Sequence, residues 1–498
     1  MRALLAAAMV VVVLAGCLTP AEPVPVSLLP GPGAVPALVA HVAGTLAPVP
    51  AAWQELRVRM APTGFERGEP TLGVTSSGAI FTIAGNLVRL SDVAPVAPPT
   101  LPAQPPLPVP TSYGPSVARS LDHGLTWERL YDPAFSGKVD LDPWVWVDPE
   151  TDRVFHAPLY VACSWVAWSD DEGSSWLGNP LGGCGLPGHD HQKLTSGPPP
   201  EGVQTTGYEN VVYYAYNSFR GEGTVALASL NGGLTWGLPV TVHAADNCYG
   251  GLNGPVTVDA DGRAYLAKAT CDGIRVAVSD DAGQTWDLAA TLTDGGVSPH
   301  SSINPRVAID QAGNAYLLWN GADNLQRLAV SHDRGATWGA AMVVPRPDLK
   351  GTLFGVLAAG AEGKVVVGYL GTTSDPAGWG SDRDPSEATD DAVWHLYITF
   401  TDDALAAEPT FVTAQVTPDD DPVQRGCIWL RGGSNPCRNL RDFMDLVQRD
   451  GRVYVVYPDG CHACASAEES HQLGESTVAI VEEGPSLLGG ALAALVPR

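Results

Sequence analysis

The sequence predicts an all-β chain: a seven-bladed β-propeller of four-stranded antiparallel blades, with a six-bladed ring as the alternative. Three observations carry this expectation. First, a turn of the form Ser-x-Asp/Asn-x-Gly-x-Thr/Ser-Trp occurs five times, at Ser120 to Trp127, Ser169 to Trp176, Ser229 to Trp236, Ser279 to Trp286 and Ser331 to Trp338. Its tryptophans are 49 to 60 residues apart, a period that belongs to stacked modules. Second, a hairpin turning at Gly78, Asp152, Gly262, Gly313, Gly363 or Gly451 recurs, and in three repeats it precedes the box tryptophan by 24 or 25 residues. Third, 55 glycines and 43 prolines in 498 residues suit many short strands joined by turns.

Each element has a physical reason. In the box, the Ser and Asp side chains accept bonds from turn N–H groups, Gly takes positive φ, and Trp packs sideways between sheets. Two hairpins at a fixed offset make a four-stranded meander, which is one blade. Blades are expected to begin near Glu69, Asp142, Asp190, Asn253, Asn304, Phe354 and Asp442. The last two lack a full box, and Thr401-Asp402-Asp403 reads as its remnant. The segment 53–60 is placed to close the ring by joining the last blade.

The chain ends differ from the body. Residues 1–16 read as a signal peptide, with Arg2 before a short apolar run. Leu14-Ala15-Gly16-Cys17 resembles the lipobox of prokaryotic lipoproteins, which implies a lipidated Cys17. Residues 17–52 are rich in Pro and Ala and read as a tether; residues 53–498 form the propeller. The expected address is the cell envelope or outer surface, held there by the lipid alone. Eight further cysteines suit an exported protein. Sequence proximity favours Cys163–Cys184, Cys248–Cys271, Cys427–Cys437 and Cys461–Cys464, the last four being able to exchange partners. A net charge of −26 excludes nucleic-acid backbones and anionic lipid surfaces as partners. The chain is expected to be monomeric.

Aligning the inner strands on their turn residues brings Glu69, Asp142, Asp190, Asn253, Asn304 and Asp442 to equivalent positions, and only Phe354 breaks the run. In a propeller these positions crowd around the axis. Two readings stay open: each side chain caps its own strand, or together they grip a hard cation such as Ca²⁺, or the hydroxyls of a polar ligand. His191 and Arg306 stand close by and join the ligand-binding set. His189-Asp190-His191 is also a start for a transition-metal site, because alternate residues on a strand share a face. The box residues Asp122, Asp171, Asn231, Asp281 and Asp333 are excluded, since a repeated residue serves repeated local structure.

The boxes resemble the Asp-box, or BNR, repeats of sialidases and their propeller relatives, over roughly Glu69 to Val481. An exo-sialidase would bring three arginines, a Tyr–Glu pair and an aspartic acid/base. Where that family opens with Arg-Ile-Pro, this chain reads Gly68-Glu69-Pro70, so catalytic residues stay unassigned. Tyr208-Glu209 point oppositely on a strand and do not replace the pair. The resemblance implies a cell-surface module binding a glycan or a protein through its axial face, with Trp144 and Trp146 available to stack on sugars. The alternatives are an exo-sialidase or other glycoside hydrolase, and a non-catalytic envelope scaffold.

Overall fold

The computed structural model describes residues 34, 36–66, 68–84, 116–130, 141–160, 163–183, 188–218, 221, 223–245, 252–298, 304–375, 379, 384–430, 435–471 and 474–495. The signal peptide, Cys17 and the Pro-rich stretch from Val93 to Pro110 lie outside them.

Turns and short alternating runs give consecutive antiparallel meanders. The first sheet holds Leu72–Val74, Ile80–Ala84, Ser116–Ser120 and Glu128–Leu130; the second Leu141–Val147, Val154–Tyr160, Cys163–Ser169 and Leu177–Gly183. The third holds His189–Gly197, Val211–Ser218, Gly223–Ser229 and Val240–His243, and the fourth Thr257–Val258, Ala264–Thr270, Gly273–Ser279 and Asp287–Leu292. The fifth holds Arg306–Ile309, Ala315–Asn320, Gln326–Ser331 and Met342–Val343. The closing sheet takes Asp445–Arg449, Arg452–Asp459 and Glu475–Glu483, and finishes with Arg57–Glu66 from the start of the chain. That last strand is the expected ring closure, running Arg57 opposite Glu483 to Glu66 opposite Glu475.

One sheet is larger. Gly351–Ala359, Val365–Thr372, Val393–Thr401 and Thr410–Gln415 form the usual meander, but the hairpin Ala37–Val42/Thr45–Ala47 adds to its outer edge and Gln424–Arg425 pairs with Val393–Thr401. Seven equal four-stranded blades are therefore not what the chain forms. Six sheets have that build, the count of the six-bladed alternative, and the remaining sheet has seven strands. The same hairpin corrects the tether: its second half is sheet, anchored by His41 Nε2 at 3.0 Å from the Val344 carbonyl. Covering an outer edge in this way removes a row of unpaired backbone groups.

The boxes behave as structural turns. Asp281 accepts the Thr285 N–H (2.9 Å) and hydroxyl (2.6 Å) and the Ser279 hydroxyl (2.9 Å), while Ser279 accepts the Gly283 N–H (2.9 Å). Gly283 needs its φ of 77° for the chain to reverse there. The Thr401 hydroxyl donates to Asp403 at 2.8 Å, as the Ser279 hydroxyl does to Asp281, so the remnant in the enlarged sheet still works. Two inner hairpins have their own lock, Tyr265 and Tyr316 donating to the turn aspartates Asp259 and Asp310; Tyr208, between the first two strands of the third sheet, donates instead to Asp148 of the second. Cys427–Cys437 and Cys461–Cys464 are disulfides, and Cys271 is disulfide-bonded as well. The other pairings fall outside the described residues.

Candidate functional site

The first strands of neighbouring sheets pack side by side, so their leading ends converge. The backbone there repeats an uncommon conformation. Glu69 (φ 60°), Asp142 (46°), His191 (47°), Asn304 (61°), Phe354 (57°) and Arg441 (62°) all take left-handed φ, which costs a non-glycine residue free energy and concentrates at functional places. At Asp142, His191 and Phe354 the cause is an interruption of the ladder, between Leu141 and Trp144, Asp190 and Lys193, and Leu353 and Val356. Such bulges re-aim side chains. In the third sheet the bulge also shifts the alignment by one, so that His191, not Asp190, holds the repeated position; before the closing sheet Arg441, not Asp442, holds it.

Glu69, Asp142, Asp190, His191 and Asp442 are brought together. Ligand atoms of Glu69, His191 and Asp442 lie within 4.8 Å of one another, as do those of Asp142, Asp190 and His191. His191 Nε2 is 3.4 Å from Asp442 Oδ2, and the His191 N–H donates to Asp142 Oδ2 at 3.2 Å. Arg438 clamps both oxygens of Asp442 from the loop before it, at 2.5 and 2.8 Å. Arg306 reaches across to Asp445 Oδ1 (3.3 Å) and the Met444 carbonyl (3.1 Å). Lys193 Nζ donates to the His191 carbonyl at 2.9 Å. Asn253 and Asn304 stand buried at the leading ends of the fourth and fifth sheets, where Gly254 packs on the Pro305 carbonyl so closely that a Cβ would sit 1.9 Å from it.

The expected acidic rim is thus interleaved with cations. Lys193, Arg438 and Asp445 were missed by sequence reasoning; the signal for the first was there, since the chain has five lysines and this one falls two residues beyond His191 on an inner strand. The electrostatics follow from burial. Burial, then Asp142 and Asp442, push the Glu69 carboxyl well above its ordinary range. Burial alone would lower the His191 pKa, but Asp142, the Asp442 contact and Asp190 raise it to about 9. Burial and then Arg306 bring Lys193 down to about 7, against the pull of Asp142, Asp190 and Glu69. Burial would raise Asp442, yet its bonds to His191 and Arg438 hold it at about 2. Chemically, such a site offers acceptors, donors and an amine poised near neutrality.

Other expectations fall elsewhere. His189 lies apart from both groups: its ring stacks on Tyr216 at 3.6 Å and its Nδ1 is 2.9 Å from the Tyr214 hydroxyl. Trp144 is buried rather than exposed; its indole N–H donates to the Leu194 carbonyl at 2.7 Å, and Lys193 Nζ and Arg306 Cζ each lie 5.9 Å from its ring. Trp146 is half-buried and bonded to Ser196.

No family model and no curated protein matches the chain. Solved structures similar to it include a protein of unknown function from Dyadobacter fermentans, at 15% identity and TM-score 0.41 over 85% of this chain and 99% of that one. The intramolecular trans-sialidase from Ruminococcus gnavus aligns at 12% identity and TM-score 0.38 over 84% and 95%. A six-bladed β-propeller lectin from Aleuria aurantia aligns at 12% identity and TM-score 0.40 over 72% and 99%. The similar structures thus include sialidases and propeller lectins, and at these TM-scores the likeness carries no argument.

Proposed function

We propose that this is an exported, lipid-anchored propeller that binds a glycan at the cell surface through the axial end of its sheets. In this reading the enlarged sheet serves as one more blade of a seven-membered ring, and the lipid is carried by Cys17. One observation supports axial binding above the rest. At the leading ends of the inner strands, Glu69 Oε1, His191 Nδ1, Asn253 Oδ1, both amide atoms of Asn304, and Arg306 Nε are buried without a hydrogen-bond partner. Buried polar groups are ordinarily paired, and a ligand with many hydroxyls both donates and accepts. A screen of the chain against immobilised glycans, wild type beside Asn304→Gly, tests this. Binding at least about tenfold weaker in the variant, which corresponds to about 1.4 kcal/mol, is expected; unchanged binding would reject the axial site.

A second reading, acid–base cleavage of a glycoside, is favoured by the Lys193 amine near pH 7 and the raised Glu69 carboxyl. Turnover of sialosides or other aryl glycosides, abolished in Lys193→Met, would establish it over simple binding.

A further inference from the structure

We infer that the axial cluster holds one divalent transition-metal ion, ligated by Glu69, His191 and Asp442 with Asp142 or Asp190 beside them. The inference deepens the glycan-binding reading and rests on it for what the metal would serve.

The donor set comes from four parts of the chain. Glu69 precedes the first sheet, Asp142 belongs to the second, His191 to the third, and Asp442 lies just before the closing one. His191 is common to both groupings, Glu69–His191–Asp442 and Asp142–Asp190–His191, whose atoms lie within 4.8 Å. One imidazole among carboxylates suits Zn²⁺ or Mn²⁺ better than Ca²⁺, which takes oxygen ligands only.

Proximity of acids alone would not make a site. The independent observation is Glu69: the residue is 1% exposed, and its Oε1 has no partner. A buried carboxylate oxygen left unsatisfied is costly, and a cation facing it would remove that cost. Asp442 can serve at the same time, because an ionised carboxylate accepts several bonds; Arg438 orients it and leaves lone pairs free. Oδ2 accepts from Arg438 at 2.8 Å and also lies 3.4 Å from His191 Nε2. That spacing places a nitrogen and an oxygen as neighbouring ligands of one ion. His189 takes no part, since its ring is engaged with Tyr214 and Tyr216. The remaining grouping among the described residues, Cys427, Cys437 and His471, offers no thiolate, because the two cysteines are bridged.

The test is titration of the full chain in detergent, stripped with chelator, with Zn²⁺, Mn²⁺ or Ca²⁺ alone and no glycan present. Calorimetry should give one equivalent of Zn²⁺ or Mn²⁺, and Co²⁺ should bring visible absorption from mixed nitrogen and oxygen ligation. Glu69→Gln should weaken binding at least about tenfold; it replaces the carboxyl by an amide of the same shape where Oε1 makes no hydrogen bond, so folding should survive, as thermal melting would verify. His191→Gln should remove the Co²⁺ bands. Absence of stoichiometric binding, preference for Ca²⁺, or wild-type affinity in Glu69→Gln would each overturn the inference. Because no glycan enters the titration, metal binding and glycan binding can fail separately.

Discussion

Asp442→Asn removes the carboxylate that the buried His191 and the half-buried Arg438 share, and its effect can be worked out. In the folded protein His191 titrates at about 9 rather than 6.5. At about 1.4 kcal/mol per pH unit this is worth about 3 kcal/mol. Seen from the other side, Asp442 at about 2 instead of 3.8 gives about 2 kcal/mol. The two figures differ because His191 also feels Asp142 and Asp190 while Asp442 is also held down by Arg438, so about 2 kcal/mol is the upper bound on the His191–Asp442 coupling. The sign is fixed: a raised histidine stabilises the fold fully below pH 6.5, and the contribution is lost as pH rises through 9. The gap between the melting curves of wild type and variant, measured from pH 6 to 10, should therefore narrow toward the alkaline end, leaving only the part owed to Arg438. At pH 6 the variant should lie lower by about 2–5 kcal/mol, since leaving Arg438 and His191 without their anion adds to the loss. His462, also raised to about 9 by Glu475, titrates in both proteins and cancels. A constant difference between the two curves across this range would refute the coupling.

The other expectations can be checked alongside. Asp281→Ala removes three box hydrogen bonds and should cost about 1–2 kcal/mol in melting with glycan affinity unchanged. Gly254→Ala drives a Cβ to 1.9 Å from the Pro305 carbonyl; about 3 kcal/mol of destabilisation, or insoluble protein on expression, is expected. Asn304→Gly keeps the left-handed φ of 61° and breaks no hydrogen bond, so its melting temperature should stay within about 0.5 kcal/mol of wild type. Labelling with radioactive fatty acid should be lost in Cys17→Ala if the lipobox resemblance is sound.

Much of the architecture is legible because it is local. A box reads directly as Ser, Asp, Gly and Trp at fixed offsets, since each contact spans about four residues. Ring closure could be anticipated because alternation from Leu56 to Met60 left a strand without a blade. What the sequence hides is register. A bulge adds one residue without any motif to mark it, so Asp190 is aligned where His191 stands; before the closing sheet the count from the turn glycine is likewise off by one, at Asp442 for Arg441. The hairpin at Ala37–Ala47 escaped notice because its strands are small, apolar and next to prolines, a composition shared with tethers. Pairing of charges across the axis was also invisible: Arg306 and Asp445 are 139 residues apart, and only closure of the ring makes them neighbours.

Amide exchange of the protein with and without the best glycan from the screen would put the axial claim to its hardest trial. Slowed exchange should map to Gly68–Leu72, Asp142–Val145, His191–Leu194 and Arg441–Leu446, four segments far apart in the chain. Protection confined to the box turns, such as Ser120–Trp127 or Ser279–Trp286, would mean that the ligand sits on the periphery and that the buried acid–base cluster only holds the sheets together.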